Sequence, residues 1–372
     1  EAPAYQNDGY LLLLIQQRPM YMPYLPDGSG KYTYNDLPIN QGGENPNRNP
    51  IYIANKTHSN TEKWRWDAQA YLNVDFLKKE NMSLSWNSKI ALSYSDSFNK
   101  RLEPNDGEGY YYHPLETGED YTLGSNFNPE QSGVKDSYSK GKQLTLFTTF
   151  DYNVNIGSHD LSALLGYSQE SYKGRSLNAY RKWFPSSVIE ELDGGSTLDQ
   201  TLGGNSSDWG LLSLFCRMNY SYAGKYLFEA NFRYDGSSRI YEDGRWGLFP
   251  SFSAAWRISE ENFIKDNCEW MNNLKLRVSW GKLGNQSIGN YAYHDIYDSS
   301  NIALGGEQVQ AMNQNKLVDK SLTWEETAIS DIGIDFSLWN NKLYATLDWY
   351  NKVTSGILNQ APIPASVGMS AP

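Results

Sequence analysis

Apolar and polar residues alternate with period two over long stretches of this chain. Between 62 and 76, Trp64, Trp66, Ala68, Ala70, Leu72, Val74 and Phe76 share one face of an extended chain, while Lys63, Arg65, Asp67, Gln69, Asn73 and Asp75 share the other. The pattern returns at 82–94, 144–154, 161–167, 212–222, 226–232, 248–258, 274–280, 328–338 and 343–349. It predicts about ten strands of roughly 10 to 15 residues each, against roughly 5 or 6 in globular sheets and 9 to 11 for a tilted bilayer crossing. Strand length therefore favours a transmembrane antiparallel β-barrel over a soluble sandwich.

The connections alternate as well. Short turns fall near 77–81, 156–159, 223–224, 259–271 and 340–341, and long segments near 97–142, 176–208, 237–245 and 284–324. Outer-membrane barrels have this asymmetry of tight periplasmic turns and long external loops. Ala223-Gly224 and Asn340-Asn341 suit two-residue hairpin connections with positive φ. The 259–271 connection has room for a helical turn. Tyr220, Tyr222, Tyr226, Trp256 and Trp339 gather beside the short turns, as an interfacial girdle does. Residues 1–61 carry Pro19, Pro23, Pro26, Pro38, Pro46 and Pro50 with Asp27-Gly28 and Gly42-Gly43, so they read as a proline-rich external loop region over the barrel mouth. Residues 62–372 are the strands with their loops.

The faces opposite the apolar stripes carry Arg217 and Asn219, Glu229, Asn231, Arg233 and Asp235, Ser251, Ser253 and Arg257, Lys275 and Arg277, Asp331 and Asp335, and Asp348. Each charge would cost several kcal/mol in lipid, so these residues line a wet lumen. Opposite charges there are expected to pair between strands, among Glu229, Arg233, Arg257, Lys275, Arg277, Asp331, Asp335 and Asp348. A wall this rich in strands encloses a channel or a plug, because only small barrels fill with their own side chains.

Composition removes alternatives. The 372 residues include 28 Tyr, 12 Trp and 13 Phe with a net charge of −11, yet mean hydropathy is −0.64. The most apolar run, residues 11–15, stops at Gln16-Gln17-Arg18-Pro19, far short of the roughly 20 apolar residues of a membrane helix. Low hydropathy does not argue against a barrel, whose strands are apolar only on alternate residues. The acidic balance and the absence of a Lys/Arg run argue against nucleic acid. Cys216 and Cys268 lack metal-ligand spacing, and the strand order separates them in height, so both are expected to be free thiols. Glu1-Ala2-Pro3 is no secretory leader, which implies processing or truncation.

Candidate chemistry is sparse. The doublets Glu190-Glu191, Glu260-Glu261 and Glu325-Glu326 supply no facing carboxylate pair, because neighbours on a strand point to opposite faces. His58, His113, His159 and His294 are scattered without ligand spacing. Asp235-Gly236-Ser237-Ser238 leaves a strand rather than opening a helix, which suits a structural turn better than a phosphate cradle. No catalytic site, resident cofactor or metal is expected, with one candidate for calcium at the acidic cluster Asp106, Glu108, Glu116, Glu119 and Asp120, whose alternative is a solvated loop. Tyr110, Tyr111, Tyr112, Trp183, Phe184 and Trp209 lie in or beside long loops. They are candidates for stacking on sugar rings, with packing of the loops on each other or on a lid protein as the alternative.

The run RYDGSSRIYEDGRWGLFPSFSAAWRISEENF at 233–263 and LKLRVSWGKLGNQSIGNYAY at 274–293 resemble blocks of the SusC/RagA family of TonB-linked outer-membrane proteins in wording and order. WEETAISDIGIDFSLWNNKLYATLDWYNKVTSGIL at 324–358 and PIPASVG at 362–368 resemble the following strands and loop; residues 1–232 resemble the family more loosely. The resemblance implies a barrel of about 22 strands with an N-terminal plug, energised through TonB and covered by a SusD-like surface lipoprotein. With about ten strands and no plug or TonB box, the chain is expected to be an internal piece of such a barrel. Import of a bulky nutrient, a glycan foremost or a peptide, is the function implied. A siderophore or vitamin receptor of the same barrel type and a secreted all-β carbohydrate-binding or hydrolytic protein are the competing readings.

Overall fold

The computed structural model describes residues 58–103, 133–185, 189–198, 200–314 and 316–360, with short pieces at 24, 28–30, 32–35, 51, 109–111, 362–364, 366 and 368–369. Ten strands form one antiparallel sheet in which each neighbour in sequence is a neighbour in space. In chain order they are β2 (His58–Lys79), β3 (Met82–Glu103), β5 (Gly133–Ile156), β6 (His159–Lys182), β7 (Thr201–Tyr222), β8 (Tyr226–Ser237), β9 (Trp246–Arg257), β10 (Met271–Asn285), β13 (Glu325–Leu338) and β14 (Leu343–Ser355). All ten periodic stretches of the sequence are strands. The sheet is open, with β2 and β14 as its edges. Two small pairs stand apart from it: β1 (Tyr32–Asn35) parallel to β4 (Gly109–Tyr111), and the hairpin of β11 (Tyr297–Leu304) and β12 (Glu307–Gln314).

Three expectations need correction. The strands β2, β3, β5, β6 and β7 are 22 to 24 residues long, beyond the 10 to 15 expected. At about 3.3 Å per residue the longest run roughly 80 Å along the strand, far more than the hydrocarbon requires. Alternation marks only the portion that contacts an apolar solvent, whereas ladder hydrogen bonds continue through polar residues such as 97–103, 133–142 and 201–208. The long 284–324 connection is likewise not all loop, since it holds the β11–β12 hairpin. Two of the short turns are longer than two residues: Ala223, Gly224 and Lys225 separate β7 from β8, and residues 339–342 separate β13 from β14. Positive φ occurs at Ala223 (52°) and Gly224 (63°), and at Trp339 (52°), Asn340 (54°) and Asn341 (61°). The 258–270 connection carries the expected helical turn, Asn262–Lys265.

The chain divides into two discontinuous compact units. The first comprises residues 1–66, 94–141 and 174–206. Within it Lys100 donates to Glu191 (2.9 Å), Arg181 pairs with Asp193 (3.4 Å), and Asn99 donates to Ser59 (3.0 Å) and Thr61 (2.7 Å). The second comprises 67–93, 142–173 and 207–372. Its buried apolar cluster is small, Ile240, Phe249 and Trp324, with Phe249 edge-on to Trp324 at 5.3 Å. Large apolar side chains are instead exposed in a continuous band, among them Phe150, Leu165, Leu214, Met218, Phe228, Phe232, Phe252, Val278, Ile332, Leu347 and Trp349. An apolar face of this extent belongs to a protein whose solvent is hydrocarbon.

At the short-turn end of the second unit the girdle is ordered. Tyr222 stacks on Tyr226 (6.3 Å) and Tyr226 on Trp256 (6.4 Å). Glu261 accepts hydrogen bonds from Tyr226 (2.7 Å), Lys225 (3.0 Å) and Trp256 (3.1 Å). These donors hold its carboxyl at a pKa of about 2. His159 joins the cluster through a 2.8 Å bond to the Tyr220 hydroxyl and a ring contact with Tyr222. Cys216, in β7, and Cys268, in the 258–270 connection, are both free, as expected. Most of residues 1–61 lie outside the described residues.

Candidate functional site

Strand register sorts the second unit's side chains into two faces. Met218, Ala230, Phe252 and Trp280 follow one another across β7–β10, as do Tyr220, Phe228, Ala254, Val278, Ile332 and Trp349 across β7–β10, β13 and β14. Between these rows run Arg217, Asn231 and Ser251, and Asn219, Glu229, Ser253, Ser279 and Asp331. Leu214 and Arg217 consequently sit on opposite sides of β7.

The polar face is a hydrogen-bonded surface. Arg217 donates to Asn231 (2.7 Å), Asn231 donates to Glu229 (2.7 Å) and Ser251 (3.3 Å), and Asn219 donates to Ser162 (3.2 Å). Arg277 gathers Asp331 (3.2 Å), Asp335 (3.3 Å) and Asp348 around one guanidinium. The expected inter-strand charge network is thus concentrated at Arg277. Arg233 pairs instead along its own strand with Asp235 (2.7 Å), and Arg257 with Glu260 in the adjoining turn (2.9 Å). Among the described residues neither Glu229 nor Lys275 has an opposite charge within ion-pairing distance. Register explains the difference: Arg233 stands opposite Phe215 and Phe249, and Arg257 opposite Lys275, so neither has a carboxylate directly across the ladder.

Two recesses open on this face. One, about 560 Å³, is lined by Asn153, Asp160, Asn219, Glu229 and Lys275 near the short turns. The other, about 650 Å³, is lined by Phe147, Phe215, Arg217, Asn231, Arg233 and Phe249 among others. Phe147 and Phe215 stack at 5.5 Å, and the Arg233 guanidinium lies 5.7 Å from the Phe215 ring. Gly166 makes room for this stack, since a Cβ there would stand 2.2 Å from the Phe215 ring. Aromatic faces beside guanidinium, amide and hydroxyl donors can hold a ring-bearing, hydroxyl-rich or amide-rich solute without covalent chemistry. Phe147 and Phe249 were not singled out by sequence reasoning; the available signal was a bulky aromatic of the wrong parity on a polar face.

The aromatic candidates from the sequence are dispersed. Tyr110 and Tyr111 lie in β4, their side chains outside the described residues, as are Tyr112 and the whole acidic cluster from Asp106 to Asp120. Trp183 belongs to the first unit, with φ of 60° and its side chain exposed. Phe184 packs on Gly195, where a Cβ would meet its ring at 2.8 Å. Trp209 belongs to the second unit, and its ring is already engaged, by Tyr172 at 6.2 Å and by the Arg239 guanidinium at 5.1 Å. Arg239 in turn donates to Asn290 (2.8 Å), and Asn290 to Ser207 (2.6 Å). Tyr291 hydrogen-bonds Asp208, which raises the phenol pKa.

The family model described as TonB dependent receptor-like, beta-barrel, matches residues 5–370. The chain is 30% identical over 255 residues to the TonB-dependent receptor SusC of Bacteroides thetaiotaomicron, covering 68% of this chain and 25% of that protein. It is 36% identical over 225 residues to the TonB-dependent receptor P39 of Formosa agariphila, covering 59% of this chain and 21% of that protein. Among solved structures, that of the RagAB peptide transporter superposes with a TM-score of 0.73 at 21% identity, over 92% of this chain and 35% of that chain. The chain therefore spans about a quarter of the length of the curated relatives it matches.

Proposed function

Since this chain belongs to the TonB dependent receptor-like β-barrel family and is of the SusC/RagA type, we propose that it forms part of the wall of an outer-membrane importer for a bulky nutrient, a glycan foremost, with a peptide as the alternative cargo. The family membership places it in the outer membrane as an all-β transmembrane wall. The observation that carries the import reading is the pairing of faces: strands that present hydrocarbon-compatible side chains on one side present a hydrated, ion-paired surface with an aromatic recess on the other.

In this reading Arg217, Glu229, Arg233, Arg257, Lys275, Arg277, Asp331, Asp335 and Asp348 line the lumen. Energy comes from TonB through parts of the receptor N-terminal to this wall, and a SusD-like surface lipoprotein caps the external mouth. No bond is made or broken. The glycan preference rests on the likeness to SusC, and the peptide alternative on the fold shared with the RagAB peptide transporter.

The test is growth and uptake in a strain deleted for the full receptor and complemented with wild type or Phe215→Ala. Loss of growth on one class of oligosaccharide, with growth on free monosaccharide retained, is the expected result. Loss on peptides alone would select the alternative cargo, and unaltered growth on both would overturn the reading.

A further inference from the structure

The apolar face of β8, β9, β10 and β13 is not evenly filled. Ala230 and Ala254 sit on adjacent strands one row apart, and Val278 extends the same low path onto β10, because Ala230 is paired with Phe252 and Ala254 with both Phe228 and Val278. Bulky rings rise on either side. Phe252 and Trp280 are stacked at 6.2 Å with their planes 12° apart. Phe228 stacks with Tyr220 at 6.4 Å on the other side. The groove so bounded measures about 580 Å³ and reaches Trp349.

Two features locate this groove along the membrane normal. Toward the short turns it ends at the Tyr222–Tyr226–Trp256 stack, in which Tyr226 and Trp256 donate to Glu261 outside the strands. Toward the long-loop end, two residues beyond Trp280 on the same face, Lys282 pairs with Glu326 at 2.8 Å, so on β10 and β13 the face turns polar there. On β8 and β9 the same face stays apolar beyond the groove, through Phe232, Tyr234 and Leu248, so the groove is continuous with the hydrocarbon-facing band and lies in the half of it next to the short turns. An apolar channel with small residues on its floor and flat rings as walls can seat a hydrocarbon chain, which gains dispersion contact along its length.

We propose that this groove is a specific lipid site that retains one acyl chain of a periplasmic-leaflet lipid against the barrel wall. It goes beyond the import reading and depends only on the membrane-spanning fold.

Native mass spectrometry of the full-length receptor, extracted from its outer membrane in mild detergent, reads the number of retained lipids directly. Wild type should hold one lipid more than Ala254→Phe, which fills the floor. Ala230→Leu, a milder filling, should lose the same adduct. Val353→Phe, on the same face but outside the groove, should keep the wild-type count. Heat-modifiable migration on detergent gels establishes that each variant is a folded barrel, and if Ala254→Phe does not fold, Ala230→Leu decides. Equal lipid counts in wild type and the folded filling variants would overturn the site. So would loss of a dimeric mass with lipid counts unchanged, which would assign the groove to a second copy of the receptor.

Discussion

Arg277 and Asp348 form an ion pair although their strands are not neighbours: β13 lies between them, and Gly333 is the residue in register with both. The guanidinium crosses directly above Gly333, where a Cβ would stand 2.5 Å from the Arg277 Cζ and 2.4 Å from an Asp348 oxygen. Gly333→Ala should therefore displace Arg277 from its three carboxylates. Overpacking of this kind costs about 1–3 kcal/mol, and the full receptor should show a lower midpoint of heat-modifiable unfolding. Arg277→Met should give a smaller loss, because each pair is half-exposed and worth only about 0–1 kcal/mol. A Gly333→Ala midpoint equal to wild type would mean the pairing contributes nothing to the wall.

Glu261 should make the short-turn girdle acid-sensitive. Its folded pKa of about 2 lies below the ordinary carboxylate value of 4.5. A depressed folded pKa gives stability that is fully present above the unfolded value and is lost as pH falls toward the folded one. Wild type should therefore lose stability relative to Glu261→Gln between about pH 4.5 and pH 2, while at pH 7 the variant should be the weaker of the two. Unfolding midpoints of both proteins across that range provide the check, and a constant difference would show that the three donors do not favour the ionised form.

Sidedness is open to chemical labelling. In receptor reconstituted into vesicles, Arg217→Cys should react with a water-soluble maleimide. Leu214→Cys, on the opposite side of β7, should resist it and respond instead to lipid-borne quenchers. Equal aqueous reactivity at both would defeat the assignment of faces. Denatured, unreduced protein should also yield Cys216 and Cys268 as free thiols.

Gly166 should matter to transport through Phe215. Any side chain there must push the Phe215 ring off Phe147, and such a stack is worth about 0.5–1.5 kcal/mol. Gly166→Val should slow uptake with little loss of assembled barrel, as judged by heat-modifiable migration. Unchanged uptake rates would remove the recess from the path of the solute.

The sequence by itself determined the ten strands, their pairing in order, and which residues share a face. Period-two alternation is a local property, and it is enforced wherever one face of a strand meets an apolar solvent and the other meets water. It also placed Arg277, Asp331, Asp335 and Asp348 on one wet surface, and separated Cys216 from Cys268. Only the tertiary structure decided how far the strands run beyond the apolar band, since backbone pairing leaves no mark on side-chain polarity. It alone decided that Arg277 reaches a second-neighbour strand over Gly333 while Arg233 turns back to Asp235. It also showed that Trp209, legible as an exposed loop aromatic, has its ring taken by Tyr172 and Arg239. Those outcomes depend on register and on which glycine lies beneath which long side chain, and both are set by contacts between strands distant in the chain.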